Sequence, residues 1–167
     1  MSKLEYFRKD VIISGRHATL VDEMWKQNDI DNSFFKRLVD LYTIAPVIGL
    51  RTGRKAVEDN STDNKRTIQL AQIMTRREDL MTIMQIILLT DDTDNLTVEQ
   101  KVDRTFRGPT NEEEFNKNVA LFDSYVRGGI EVLYEKLINR ALSVDDPYTD
   151  RKIGNIMALL NEPLVEE

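Results

Sequence analysis

The stretch that most constrains the fold runs from Phe34 to Asp59, with the sequence FFKRLVDLYTIAPVIGLRTGRKAVED. Its first half repeats apolar residues three and four positions apart, which predicts an amphipathic helix with a wide apolar face. Tertiary packing supplies most of the stability of such a helix, so we expect it at the centre of a helical domain. Pro46 lacks a backbone donor and should kink or loosen the last turn, and Gly49 is expected to end the helix.

A basic segment follows this helix. Arg51, Arg54 and Lys55 surround Gly53, and residues 51–77 carry a net charge of +4 in a chain whose net charge is −6. A locally basic segment favours contact with a polyanion or an acidic partner surface, whereas the negative total argues against strong non-specific DNA binding. A solvated charged loop without a partner is the alternative. The predicted DNA- or partner-binding residues are Arg51, Arg54, Lys55, Lys65, Arg66, Arg76 and Arg77.

The rest of the chain reads mainly as helices. Residues 4–13 mix aromatic and β-branched side chains and could form a short strand or an extended lead-in, with 66–72 as a second candidate strand. Ser14 is a candidate cap for a helix over 15–26, and Asn32 or Ser33 for the central helix. Further helices are predicted over 76–89 and 97–106, after a capping box formed by Thr110 and Glu113, and after Asp146 with Pro147 at the first helical position.

The apolar pattern from 115 to 138 is interrupted by Gly128 and Gly129. Two helices with a bend, or one helix with a close packing contact at the glycines, would both explain the interruption. The last helix is expected to bury Ile153, Ile156, Met157, Leu159 and Leu160. We therefore predict a single, mostly α-helical domain over 1–167, a bundle of about six or seven helices with possible addition of one small β-hairpin.

Catalytic and metal-binding signatures are missing from the sequence. The chain has no cysteine and one histidine, His17, which is more simply a residue near a helix start than a ligand. Asp91, Asp92 and Asp94 are spaced like oxygen ligands, but Leu96 and Thr97 stand where a calcium loop needs a ligand and a glycine, so a helix-ending acidic turn is favoured. No phosphate-binding loop or hydrolase motif occurs. We expect no catalytic residue, no metal and no cofactor.

Two segments together resemble a known family. One is the helix, glycine and basic loop of Phe34 to Asp59; the other is FNKNVALFDSYVRGGIEVLYEKL, Phe115 to Leu137. Their order resembles the small accessory proteins encoded with Dnd-type DNA phosphorothioation systems, over roughly residues 30–140. The matching positions are Leu41, Ala45, Gly49, Gly53, Arg54 and Lys55, then Tyr125, Gly128, Gly129, Glu131 and Leu133. Of these, Gly49, Gly53, Gly128 and Gly129 are expected to be structural.

The resemblance implies a non-enzymatic accessory or adaptor subunit of a prokaryotic DNA-modification or antiviral defence complex. Such a subunit would support a larger nuclease or ATPase, could contact DNA, and could self-associate. A stand-alone DNA-binding regulator is the alternative, and it should present basic side chains on a recognition helix. An enzyme with an unfamiliar site would instead show a pocket lined by converging acidic and basic groups. Because the sequence has neither a long apolar run nor a signal-like N-terminus, we expect a cytoplasmic protein with no membrane contact.

Overall fold

Helices dominate the computed structural model, which describes residues 4–139 and 151–162. The described residues contain seven α-helices and one two-stranded antiparallel sheet, as the sequence predicts. The strands are β1 (Val11–Ser14) and β2 (Lys65–Ile68). The helices are α1 (Arg16–Met24), α2 (Leu38–Thr52), α3 (Leu70–Thr75), α4 (Arg77–Thr90), α5 (Val98–Arg107), α6 (Glu112–Leu137) and α7 (Arg151–Leu160).

The core forms where α2 packs against α6, which is the most extensive contact between two elements. Helix α6 has 26 residues and is therefore about 39 Å long at 1.5 Å per residue. Leu41 and Ala45 of α2 and Ile130 of α6 are fully buried in this contact region. Helices α1, α4 and α7 pack around the central pair, and α5 packs against α4. The central position that the apolar pattern predicts for α2 is the one it occupies.

Both ends of α2 differ from the predicted bounds. The helix begins at Leu38, because Ser33 and Phe34 instead close the preceding loop onto α1: the Ser33 hydroxyl accepts from the backbone N–H of Lys26 at 2.8 Å, and the Phe34 N–H donates to the Met24 carbonyl at 2.9 Å. It continues through Pro46 and Gly49 to Thr52. Gly53, with a φ of 67°, is the residue that ends it, since a left-handed conformation suits glycine.

The small sheet joins the N-terminal segment to the chain that follows the polar loop. Val11 lies opposite Ile68, and Ser14 lies opposite Lys65, so the two strands belong to distant parts of the sequence rather than to a tight-turn hairpin. Ser14 does not cap α1 as predicted; it ends β1, and its hydroxyl donates to the Glu58 carboxylate at 3.1 Å. The residue before α1 is Gly15, which makes no side-chain capping bond.

Caps define both α5 and α6. Thr97 and Gln100 form a capping box that the sequence analysis did not single out. The cap of α6 is Asn111, whose side chain accepts from the N–H of Glu114, one residue after the predicted Thr110. Helix α6 runs unbroken through Gly128 and Gly129, so one helix with a close contact is the arrangement adopted. The predicted cap at Asp146 and Pro147 lies outside the described residues.

The prediction that α7 buries all five of its large apolar residues is only partly confirmed. Ile156 and Leu159 are partly buried against the core, but Ile153, Met157 and Leu160 are exposed, contrary to prediction. Helix α7 packs mainly on α6, so one side of it meets the core and the other does not. A sequence with apolar residues on both sides of a helix cannot reveal which side is covered.

Candidate functional site

The predicted basic segment begins where α2 ends, and its charges are engaged by α6. The guanidinium of Arg54 lies 2.7 Å from Glu135 and 3.2 Å from Glu131. Both carboxylates come from α6, which passes close to the chain at Arg54 because Gly128 has no side chain in the way. Arg54 is thus the positive member of an intramolecular ion-pair network rather than an unopposed cation.

Lys55 is held by a second acidic group. Its ammonium donates to the hydroxyl of Thr93 at 2.6 Å, lies 3.3 Å from the carboxylate of Asp91, and sits 5.5 Å from the centre of the Tyr125 ring. The hydroxyl of Tyr125 donates to the same carboxylate at 2.6 Å. Burial would raise the pKa of Asp91, but hydrogen bonds from Tyr125 and Thr93 and the charge of Lys55 outweigh it and lower that pKa to about 2.

Glu131 joins three elements. One of its oxygens accepts from Arg16 at 2.5 Å and lies 3.3 Å from Nε2 of His17, while the other lies near Arg54. His17 is the second residue of α1 and is almost completely buried. Burial lowers the pKa of His17, although the Glu131 carboxylate opposes that shift. The ring is therefore neutral at neutral pH, and its Nδ1 has no hydrogen-bond partner among the residues described.

The other predicted basic residues are spread over the molecule. Arg66 pairs with Asp22 at 2.7 Å, Arg76 pairs with Asp40 at 3.2 Å, and Arg77 lies 3.9 Å from Glu5. Arg51 donates to a backbone carbonyl at 3.0 Å, and Lys65 is exposed on β2. Asp40 is in the first turn of α2, so Arg76 lies about 18 Å along that helix from the basic loop. The structure does not bring Arg76 to Arg54 and Lys55.

The four glycines expected to be structural lie in or beside the α2–α6 contact. A methyl group at Gly49 would overlap the carbonyl of Tyr125, one at Gly128 would overlap the carbonyl of Arg54, and one at Gly129 would overlap the carbonyl of Ala45. Gly53 has free space around its α-carbon, so its left-handed φ is the reason for glycine there. The glycines therefore set the distance between the basic loop and the carboxylates of α6.

An exposed apolar row on α5 escaped the sequence analysis. Val98, Val102 and Phe106 are 73%, 43% and 65% exposed, and their spacing of four places them along one ridge of the helix. Glu99 and Asp103, also exposed, flank the row. The signal was present as an i, i+4, i+8 apolar pattern in a segment predicted to be helical. We call Val98, Val102 and Phe106 the α5 ridge.

The described residues form neither a metal site nor a membrane-spanning helix. No group of three acidic or histidine side chains within residues 4–139 and 151–162 is arranged to hold a metal ion. In the acidic turn, the carboxylate of Asp91 instead accepts hydrogen bonds from Tyr125, Thr93 and Lys55. Within the same ranges, no helix has the length and apolar character needed to cross a membrane.

A family model of known proteins matches most of the chain. The family model described as DNA sulphur modification system-associated protein 4 matches residues 11–151, which include both segments that carry the sequence resemblance. Nothing among the curated proteins and the solved structures matches the chain.

Proposed function

We propose that this chain, which belongs to the DNA sulphur modification system-associated protein 4 family, is a non-enzymatic accessory or adaptor subunit that binds a larger protein of that system. Family membership associates the chain with the Dnd DNA sulphur modification system, whereas the adaptor role is our proposal. The observation that carries it is the α5 ridge, a row of three large apolar side chains left in solvent on a well-capped helix.

The α5 ridge has the form of a helix face that docks into a groove. Contiguous exposed apolar side chains on a soluble domain commonly mark a protein contact, and residues at i, i+4 and i+8 can enter a groove together. The opposite side of α5 is anchored, because Arg104 is buried and donates to the carbonyl of Leu88 at 2.6 Å. The ridge therefore has a defined orientation. Glu99 and Asp103 beside it favour a partner groove with a basic rim.

The charge distribution favours a protein partner over DNA. A DNA-reading helix needs several basic side chains free to reach phosphates and base edges. Here Arg54, Lys55, Arg66, Arg76 and Arg77 each lie within 4 Å of a carboxylate of the same chain. DNA contact through the predicted basic residues stays a prediction; through these five residues it would compete with the carboxylates, whereas Arg51 and Lys65 have no carboxylate within 4 Å among the described residues.

The proposal of a non-enzymatic role rests on how the reactive side chains are engaged. A serine nucleophile needs a hydrogen-bonded base. Ser14 and His17 line one small cavity, but the Ser14 hydroxyl donates to Glu58 and Nε2 of His17 faces Glu131. This arrangement occupies both groups with carboxylates and supports a structural role for them.

Co-purification with the larger proteins encoded in the same system tests the adaptor role. Replacing Val98, Val102 and Phe106 together with serine should abolish capture of a specific larger subunit. The free energy of unfolding should change by no more than about 0.5 kcal/mol per substitution, as is usual for surface changes. The control replaces Ile30 and Val57, which are 60% and 82% exposed and lie outside α5. Unchanged capture by the ridge variant would refute the docking surface.

DNA titrations at two salt concentrations distinguish the adaptor from the alternative function, a stand-alone DNA-binding regulator. A stand-alone regulator should bind duplex DNA without a partner, lose affinity steeply with salt, and lose it further when Arg51 and Lys65 are replaced by glutamate. Binding of this kind, together with normal behaviour of the ridge variant, would favour the regulator over the adaptor.

A further inference from the structure

A cavity of about 250 Å³ opens between the N-terminal segment and α6. Its walls are largely aromatic: Tyr6 stacks on Phe115 with ring centres 5.2 Å apart, and Phe7 meets Phe122 edge-on at 5.0 Å. Tyr42 adds a fifth ring, 6.0 Å from Phe122. The cavity is smaller than the roughly 300–1,000 Å³ sites that hold drug-sized ligands, so it suits one side chain or one small molecule.

Asp123 is the charged residue that α6 contributes to this cavity, and the N-terminal segment contributes Glu5, Arg8, Lys9 and Asp10. The Asp123 carboxylate makes no hydrogen bond or ion pair with any other described residue, whereas Arg127, one turn later, donates its Nε to the carbonyl of Ala56 at 2.9 Å. Burial raises the pKa of Asp123 to about 6, a shift that the charge of Arg127 opposes and that of Glu58 reinforces. Asp123 is partly buried, so a carboxylate without a hydrogen-bond partner there is unfavourable, and a bound cation would reduce that cost.

A second acceptor lies in an adjoining space. A smaller cavity of about 150 Å³ shares Asp123, Tyr42, Val11 and Ile12 with the first, and His17 lines it. Nε2 of His17 carries its proton toward Glu131, which leaves Nδ1 as an acceptor, and that atom has no partner among the residues described. Asp123 and Nδ1 of His17 are thus acceptors with no hydrogen-bond donor among the described residues, although Arg127 and Glu58 also line the smaller space.

Phe7, which lines the cavity, has an uncommon backbone conformation. Phe7 has a φ of 57°, in the left-handed region that large side chains rarely adopt. This backbone geometry places the ring of Phe7 against Phe122 at the cavity wall. At the rim, the positive charge of Arg8 is paired with Glu5 at 2.7 Å, so it does not face the cavity unopposed.

We propose that this cavity binds an ammonium or guanidinium group carried on an apolar stem, with Asp123 as the counter-ion and the aromatic rings around the cation and stem. A carboxylate and aromatic π-faces both attract cations, and a group with several N–H donors matches acceptors that have none. The cation can belong to a free small amine or to a lysine or arginine side chain of another protein. The residues that form this site are separate from those of the α5 ridge.

Calorimetric titration with n-butylammonium chloride tests the proposal on the full-length chain. Butanol and sodium butyrate are the neutral and anionic probes of similar shape. We expect n-butylammonium to bind and the other two to bind at least about tenfold more weakly, a difference of 1.4 kcal/mol. Equal binding of the three probes, or no binding of n-butylammonium, would overturn the proposal.

The variant Asp123→Asn preserves shape and removes the charge, and Asp103→Asn on the exposed side of α5 is its control. We expect Asp123→Asn to weaken n-butylammonium binding by about tenfold or more and Asp103→Asn to leave it unchanged. The melting temperature shows that each variant is folded. Undiminished binding by a folded Asp123→Asn would contradict the assigned counter-ion.

Two further probes distinguish the source of the cation. N-acetyl-lysine methylamide and N-acetyl-arginine methylamide carry the same cationic groups with a peptide backbone attached. Binding of either, lost in Asp123→Asn, points to a side chain of a partner protein. Binding of n-butylammonium alone points to a free amine, because the backbone is then too large for the opening. If the natural ligand is a small amine, the Asp123→Asn variant should still capture the larger subunit. The α5 ridge variant should not, so the two proposals can fail separately.

Discussion

The α2–α6 contact and the α5 ridge are built from similar apolar helical patterns but have opposite environments. At Gly129, the backbone of α6 is so close to the carbonyl of Ala45 that no methyl group could be accommodated. At Phe106, an aromatic side chain is 65% exposed. At Gly129 there is no room for an added methyl group, whereas the α5 ridge is largely uncovered by the part of the chain that the structure describes.

The comparison distinguishes residues that stabilise the fold from residues that are available to bind a partner. Close backbone contact makes the glycine positions intolerant of any added atom, since packed interiors resist displacement. Exposed apolar residues contribute little to the fold, so replacing them costs little, and their contribution must be sought in complexes. The partly exposed ion pairs of Arg54 and Lys55 join the loop after α2 to carboxylates of the same chain, so these cations are engaged within the fold although their charges suggested a binding surface.

The largest expected effect is that of Gly129→Ala. The added methyl group must push α6 away from α2, so we expect the free energy of unfolding to fall by about 3 kcal/mol or more. Urea denaturation measures the change. Gly53→Ala is the control, because Gly53 has space for a methyl group and should lose only about 1–2 kcal/mol from its left-handed φ. Equal losses in the two variants would mean that the α2–α6 distance is not limited at Gly129.

A smaller effect is expected at Asp91. Replacing it with asparagine removes the charge that Lys55 and the Tyr125 hydroxyl face, and should cost about 1–2 kcal/mol. The control is Asp92→Asn, since the Asp92 side chain is 86% exposed. A loss at Asp92 as large as that at Asp91 would contradict the distinction between the two neighbours.

The same carboxylate predicts a pH dependence. The pKa of Asp91 is lowered from 3.8 to about 2, so its contribution is complete above pH 4 and is lost as the pH falls from 4 toward 2. Thermal unfolding of the native protein and of Asp91→Asn over this range should give melting temperatures that converge at low pH. A constant difference between the two proteins across that range would refute the assignment.

The smallest effects compare two cations of the basic segment. Lys55→Ala removes a partner of a buried carboxylate and should cost about 1 kcal/mol, whereas Arg51→Ala, which loses a bond to a backbone carbonyl at the surface, should cost less than about 0.5 kcal/mol. Chemical denaturation of both variants checks the order. If Arg51→Ala lost more free energy of unfolding than Lys55→Ala, the pairing of Lys55 with Asp91 would not contribute to stability, and Lys55 would be an exposed residue available for binding.

Several features were predictable because they depend on local chemistry. Helices α4 and α5 match their predicted ranges to within a residue or two, since apolar periodicity and flanking polar turns bound them. The helix stop was assigned to Gly49 instead of Gly53 because both glycines follow the same apolar run, and only the contact with Tyr125 explains Gly49. The cap of α6 was misplaced by one residue because Thr110 and Asn111 are both good capping residues.

The sequence by itself determined that the chain is mostly helical, that α2 lies at its centre, and which family it resembles, because periodicity and glycine spacing are properties of the chain alone. Only the tertiary structure decided which charges are engaged and which apolar faces are covered. Arg54 and Lys55 meet Glu131, Glu135 and Asp91 across more than 30 residues of chain. The exposure of the α5 ridge likewise depends on which neighbour α5 packs against, and no local pattern encodes that choice.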